Sequence, residues 1–261
     1  MNNTHIYDSD INPVLEKATS EDLAPLVGYI EKKFSQDLTY SEAYKAHSPE
    51  HTQYFDLIAK EIRDMGGNSF ANLKRGEGPS YSEIVYDVGK KLKASVIKGA
   101  RIEDNEAAIL EAILKKAFEQ MSEAEKAELF ESLDSSGGLS KGAMTSAALI
   151  TLFRSGGFYS YQLTLIIANQ IAKIILGRGL MFATNTTIVR TASTLAGPVG
   201  WAITGVWTAV DLAGPAFSVT IPCVVHIAML RKSQQAVYCS SCNTMLINDN
   251  VKFCPECGTK Q

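Results

Sequence analysis

The sequence predicts an all-α protein: a multi-helix body with a central apolar helical hairpin, plus a small C-terminal β zinc ribbon. Three observations carry this prediction. From Thr19 onward, apolar residues recur at helical spacing and not at the alternating spacing of strands. The stretch Leu195–Leu230 is almost wholly apolar and holds a single formal charge, Asp211. Four of the five cysteines fall into two CxxC pairs at the C-terminus. Three regions follow: residues 1–140, acidic and helical; 141–232, apolar and helical; and 233–261, the ribbon.

Residues 1–18 read as irregular. Thr19 then caps a helix whose inward positions are Leu23, Leu26, Val27, Ile30 and Phe34, with Asp22 in its acidic first turn. A polar loop follows. Ser48-Pro49 opens a second helix with Tyr54, Leu57, Ile58, Ile62 and Met65 inward, and Gly66-Gly67 ends it. Residues 68–79 read as a helical turn and a loop. A third helix spans about Pro79–Ile97 and ends in the cluster Lys90, Lys91, Lys93 and Lys98, where cations suit the helix dipole.

A fourth helix, about Glu103–Met121, buries Leu110, Ile113, Leu114, Ala117 and Phe118. Ser122-Glu-Ala-Glu125 is a capping box and starts a fifth, with Leu129, Phe130 and Leu133 inward. A short apolar helix at 142–154 stops at Gly156-Gly157. The next, 158–182, sets its isoleucines against a polar stripe of Gln162, Asn169 and Lys173, which predicts partial solvent contact.

Two Gly-Pro pairs divide the apolar stretch into helices Pro198–Ala213 and about Ala216–Leu230. Gly205, Ala209 and Ala213 form a small-residue stripe suited to a close helix contact. Pro222 predicts a kink or a late start near Ile221 in the second arm. Each arm of about 16 residues is roughly 24 Å long, short of a hydrocarbon core of roughly 30 Å. Two readings stay open: the buried hairpin of a helical domain, or a hairpin that contacts or enters a bilayer.

Net charge is −3, unevenly spread. Residues 142–230 carry four Lys/Arg and one Asp, and 231–261 carry four Lys/Arg and two acids, so the N-terminal part holds −8. That balance argues against nucleic acid as a partner, which needs a basic face. MNNTHIYDSD has neither a basic nor an apolar leader segment, so no secretory signal is visible. A metal pattern needs thiolates and so favours a reducing compartment. The expected location is therefore the cytoplasm, with attachment to or insertion in the inner membrane left open.

Cys239-Ser-Ser-Cys242 and Cys254-Pro-Glu-Cys257 are separated by eleven residues. Two such knuckles present four thiolates to one tetrahedral Zn²⁺, and the gap suits a β-hairpin between them. Four protein ligands close the coordination sphere, so the expected Zn²⁺ is structural and not catalytic. Cys223 reads as a buried structural thiol and His226 as a hydrogen-bonded core histidine. His47 and His51 flank Ser48-Pro49-Glu50 and lack the HExxH order of a zinc protease. No Ser/His/Asp or Cys/His set stands out, so no catalytic or cofactor-binding residue is assigned and the chain reads as a non-enzyme.

Several stretches carry a family resemblance: Tyr7-Asp-Ser-Asp10, IAKEIRDMGGNSFANLKRGEG at 58–78, YSEIVYDVGKKLK at 81–93, LGRGL at 176–180, and GPVGWAITG through VTIPCVVHIAMLR at 197–231. With these the chain resembles the YaaW-like family of bacterial proteins, grouped by homology with the ubiquinol–cytochrome c chaperone family. The likeness covers most of residues 7–231, and the cysteine tail lies beyond it. It implies a non-enzymatic chaperone or adaptor that binds a protein client, such as an unassembled membrane protein, through an apolar helical surface. The ribbon would dock a protein partner. A membrane-active, pore-former-like effector is the alternative.

Overall fold

The computed structural model describes residues 7–32, 36–67, 78–133, 145–180, 217–242, 245–246, 251–254 and 257–261. Among these the body is all-α. The first apolar arm, with Gly205, Ala209, Ala213 and Asp211, lies outside the described residues.

The N-terminal segment is more ordered than its polar composition suggested. Helix α1, Asn12–Glu16, carries Pro13 in its first turn. The Asn12 amide donates to the Asp8 carbonyl at 2.9 Å, and Asn12 Oδ1 accepts the Asp8 N–H at 2.9 Å. Helix α2, Ser20–Glu31, is capped by Thr19 in a reciprocal capping box with Asp22 and buries Leu23, Leu26, Val27 and Ile30. The expected polar loop holds two single-turn helices, α3 (Gln36–Tyr40) and α4 (Glu42–His47). Ser41 caps α4, accepting the Tyr44 N–H at 3.1 Å, and Leu38 is fully buried. Leu38, with Ala43 and Tyr44 packed against the core, and the Ser41 cap hold this stretch on the body.

Helix α5, Phe55–Gly66, begins later than Ser48-Pro49 predicted, because His51–Tyr54 forms a tighter 3₁₀ turn ahead of it. Helix α6, Tyr81–Leu92, ends before Ile97. Lys93 takes a left-handed conformation (φ 58°), and the Ala94 amide closes on the Gly89 carbonyl at 2.9 Å. The reversed chain lays Val96 where a Cβ on Gly89 would stand, 2.2 Å from Cγ1. Helices α7 (Ile102–Gln120) and α8 (Glu123–Leu133) follow the predicted pattern. The Ser122 amide donates to Glu125 at 2.7 Å, as the capping box requires.

Helix α9, Ser146–Arg154, is capped by Thr145. Helix α10, Gly157–Leu176, stops at Gly177 (φ 73°), six residues short of the predicted end. Its polar stripe corrects the sequence reading. Gln162 and Asn169 are buried, and so are Ser160, Thr164 and Gln170; Lys173 alone of the predicted stripe is half-exposed. Asn169 is inside because it turns the chain: its Oδ1 accepts the Leu180 N–H at 2.9 Å. Gly179 lies so close that a Cβ would sit 2.6 Å from that oxygen.

Helix α11, Phe217–Gln234, is the second apolar arm. It is already helical five residues before Pro222, so the late start near Ile221 is not seen. Every residue from Val219 to Leu230 is buried. A helix apolar all round belongs in an interior, and α11 packs against α1, α2, α5, α6, α7 and α10. Each large aliphatic side chain buried here contributes roughly 1.5–3 kcal/mol. No helix among the described residues is long and apolar enough to cross a membrane.

Candidate functional site

The four tail cysteines converge. Their Sγ atoms all lie within 4.8 Å of one another, with Cys239–Cys257 and Cys242–Cys254 each at 3.6 Å. A metal–sulfur distance of about 2.3 Å in a regular tetrahedron gives sulfur–sulfur edges of about 3.8 Å. A disulfide would need about 2.0 Å, and all four thiols are free. The cysteines lie close enough to hold a metal ion.

The local fold explains the convergence. Isolated antiparallel bridges, Tyr238 with Met245 and Phe253 with Lys260, close each knuckle on itself. Gly258 sits at φ 72°, a conformation that favours glycine, and donates to the Cys254 carbonyl at 2.9 Å. The predicted β-hairpin between the knuckles is not formed as strands among the described residues, and 243–244 and 247–250 lie outside them.

The sulfurs are also held from outside. Cys239 Sγ accepts from the Ser241 amide at 3.4 Å and from Gln261 Nε2 at 3.3 Å. The Cys242 amide pulls the Cys239 thiol below its ordinary pKa. The Thr259 hydroxyl, then its amide, draws Cys257 down to about 6. Donors to sulfur favour thiolate, the form that binds metal.

A second feature lies on the body. The end of α6, one face of α7 and the start of α9 enclose a groove of about 810 Å³. Its floor is apolar, formed by Leu92, Ala108, Ala112 and Ile150. Lys93, Lys115 and Lys116 stand on its rim, with one exposed acid, Glu119, beside them. Arg154 is engaged by Glu111 in two hydrogen bonds of 2.7 Å. Sequence reasoning missed this groove. The signal was available in Ala108 and Ala112, four apart and followed by Lys115-Lys116.

The third feature is a buried polar lock. Glu106 is 3% exposed and meets Arg231 at 2.9 Å through Nε and 3.3 Å through Nη2. The Tyr81 hydroxyl donates to Glu106 at 2.9 Å, and Arg231 also donates to the Asp10 carbonyl. Beside it, Asp8 accepts the Tyr81 amide at 2.8 Å and lies 3.6 Å from Arg63. Arg63 in turn donates to the carbonyls of Gly78 and Pro79. Thus Tyr7–Asp10, the 58–78 and 81–93 stretches and the end of α11 meet at one place. Burial raises the Glu106 pKa, against the pull of Arg231 and then Tyr81.

The remaining predicted residues are accounted for. His226 is buried, with Nε2 at 2.8 Å from the Asp22 carbonyl. Burial lowers its pKa to about 4, and the Asp22 contact opposes the shift. Cys223 is fully buried, and burial pushes its thiol up. His47 is exposed, while His51 is buried with Nδ1 on the Tyr54 hydroxyl. The two histidines do not face one site.

Fold and site together define a helical protein with a four-cysteine cluster of metal-binding geometry. The family described as ubiquinol–cytochrome C chaperone matches residues 50–225, and the chain belongs to it. A UPF0174 protein of Helicobacter pylori strain J99 is 44% identical over 239 residues, covering 88% of this chain and 94% of the relative. The UPF0174 protein YaaW of Escherichia coli K12 is 32% identical over 247 residues, covering 90% and 99%. No solved structure matches.

Proposed function

We propose that the protein is a non-enzymatic, chaperone-like adaptor that holds a helical segment of a protein client in the groove between α6, α7 and α9. The groove is the observation that carries this reading. An apolar floor with a lysine rim fits an amphipathic helix whose polar edges are acidic. A helix is about 10–12 Å across and 5.4 Å per turn, so the space suits one to two turns. Ala108 and Ala112 let its backbone come close. Membership of the chaperone family supports the same reading.

The tail takes a separate role. Cys239, Cys242, Cys254 and Cys257 hold one Zn²⁺, which supplies a structural cross-link and no open coordination position. The resulting knob docks a protein partner, with exposed Phe253 on its surface.

The test is suppression of light scattering by a thermally unfolding model enzyme. The intact chain, added in stoichiometric amounts, should reduce the aggregation severalfold. Ala112→Arg fills the groove floor and should abolish the effect, as should Lys115→Glu with Lys116→Glu, while melting temperatures stay near that of the parent. Equal suppression by parent and variants, or none by the parent, would overturn the assignment.

A further inference from the structure

A second cavity lies where the tail meets the body, between the start of α10, the end of α11 and the first knuckle. Its volume is about 430 Å³. One wall is apolar: Tyr161, Ala236, Val237, Met245 and Leu246. The opposite end is polar, with Ser155, Ser160, Lys232 and Gln235 on it.

Lys232 lines that end and donates to Ser160 Oγ at 2.9 Å. No carboxylate among the described residues lies within ion-pair distance of Lys232. Its ammonium also stands over the Phe153 ring, 5.2 Å away, and the Glu106 carboxylate acts on it from beyond ion-pair distance. Ser160 is 2% exposed, and its hydroxyl accepts from Lys232 while its own proton has no acceptor among the described residues. Among the described residues the carboxylate that acts on Lys232 is Glu106, itself engaged by Arg231, and the buried Ser160 hydroxyl keeps a proton to donate. An anion seated there meets both Lys232 and Ser160.

The backbone adds to this. Helix α10 is twenty residues long, and no side chain caps it. Its N-cap, Gly156, and first residue, Gly157, line the same cavity. The positive end of its dipole therefore faces the space occupied by Lys232 and Ser160.

We propose that this cavity binds the C-terminal carboxylate of a peptide whose last side chain is apolar. The carboxylate sits on Lys232, Ser160 and the start of α10. The apolar side chain rests on Met245 and Leu246. The volume suits one or two terminal residues and falls within the range of specific pockets. The assignment of a protein terminus, in preference to a free carboxylic acid, rests on the client-binding reading above. The tail supplies part of the wall, so the site exists only where body and tail meet.

The experiment uses the full-length chain and a fluorescent hexapeptide ending in Ala-Leu, read by anisotropy. The free acid should bind at least tenfold more tightly than the same peptide amidated. Lys232→Met should remove that difference while leaving the circular dichroism and the melting temperature close to those of the parent. Ser160→Ala should weaken the free acid severalfold. Equal binding of acid and amide overturns the proposal without any appeal to a variant. Competition by octanoate or inorganic phosphate at concentrations where the unlabelled peptide acid fails to compete would also overturn it. Aggregation suppression by the α6–α7–α9 groove is read separately, so failure of this proposal and failure of the client-binding reading are distinguishable.

Discussion

Removing Arg231 should destabilise the protein far more than removing a surface arginine. Arg231 and Glu106 side chains are 12% and 3% exposed, and they share two contacts. Arg231→Met keeps the aliphatic bulk but strands the Glu106 carboxylate with the Tyr81 hydroxyl as its remaining donor. Breaking one side of a buried pair costs roughly 3–5 kcal/mol. A surface pair such as Arg101–Asp104 would cost under about 1 kcal/mol.

The sign of the pH dependence separates a stranded charge from lost packing. Glu106 already has a raised folded pKa, caused first by burial. Without Arg231 the largest influence opposing burial is gone, Tyr81 remains as a hydrogen-bond donor, and the pKa rises further. An acid with a raised folded pKa binds more protons native than unfolded. Its penalty is therefore full above the folded pKa and is relieved as pH falls toward the ordinary carboxylate value of about 4.3. Urea denaturation followed by circular dichroism at several pH values should show a deficit that shrinks toward acid. Glu106→Gln combined with Arg231→Met should recover part of it at neutral pH. A deficit below about 1 kcal/mol, or one that is flat with pH, would refute the reasoning.

Other perturbations test other parts of the structure. Reduced, purified protein should carry about one zinc per chain by metal analysis, and Cys254→Ser should lose it. His226, with a folded pKa of about 4 set mainly by burial, binds fewer protons native than unfolded. Its contribution of roughly 3 kcal/mol should be intact above pH 6.5 and lost as pH falls toward 4; a His226 NMR signal titrating near the ordinary value would contradict this. Gly78→Ala should cost roughly 1–3 kcal/mol or more, measured by thermal denaturation. Its Cβ would stand 2.4 Å from the Arg63 backbone, which cannot move aside as a side chain can.

Local signals were legible where they act within one helix. Thr19, Ser122 and the apolar faces of α2, α7 and α8 could be read because caps and periodicity involve residues three or four apart. The cysteine spacing was legible for the same reason. Long-range partners were not. Gln162 and Asn169 look like a solvated stripe until Leu180 is seen returning to Asn169. Glu106 looks like one more acid on an acidic chain, yet it lies one turn before Ile109 and Leu110 on a buried face. Its partner is 125 positions away. The end of α6 was overestimated because Val96 folds back on Gly89, and spacing alone does not encode that reversal.

The enclosure of α11 bears on where binding can occur. The apolar stretch Leu195–Leu230 reads from the sequence either as a buried hairpin or as one that contacts or enters a bilayer, and α11 is its described second arm. In the folded body its faces are spent on six other helices. Its His226 is tied to α2, its Arg231 to α7 and to the segment before α1. Lipid could replace the aliphatic contacts, but not the Asp22 carbonyl or the Glu106 carboxylate. Withdrawal would strand Glu106 inside the remaining helices, at the cost already assigned to losing Arg231. Helix α11 is therefore the scaffold on which the other helices are placed. The two surfaces proposed for recognition are ones it leaves open: the lysine-rimmed groove between α6, α7 and α9, and the cavity beside its last turn, where Lys232 follows directly on the locked Arg231.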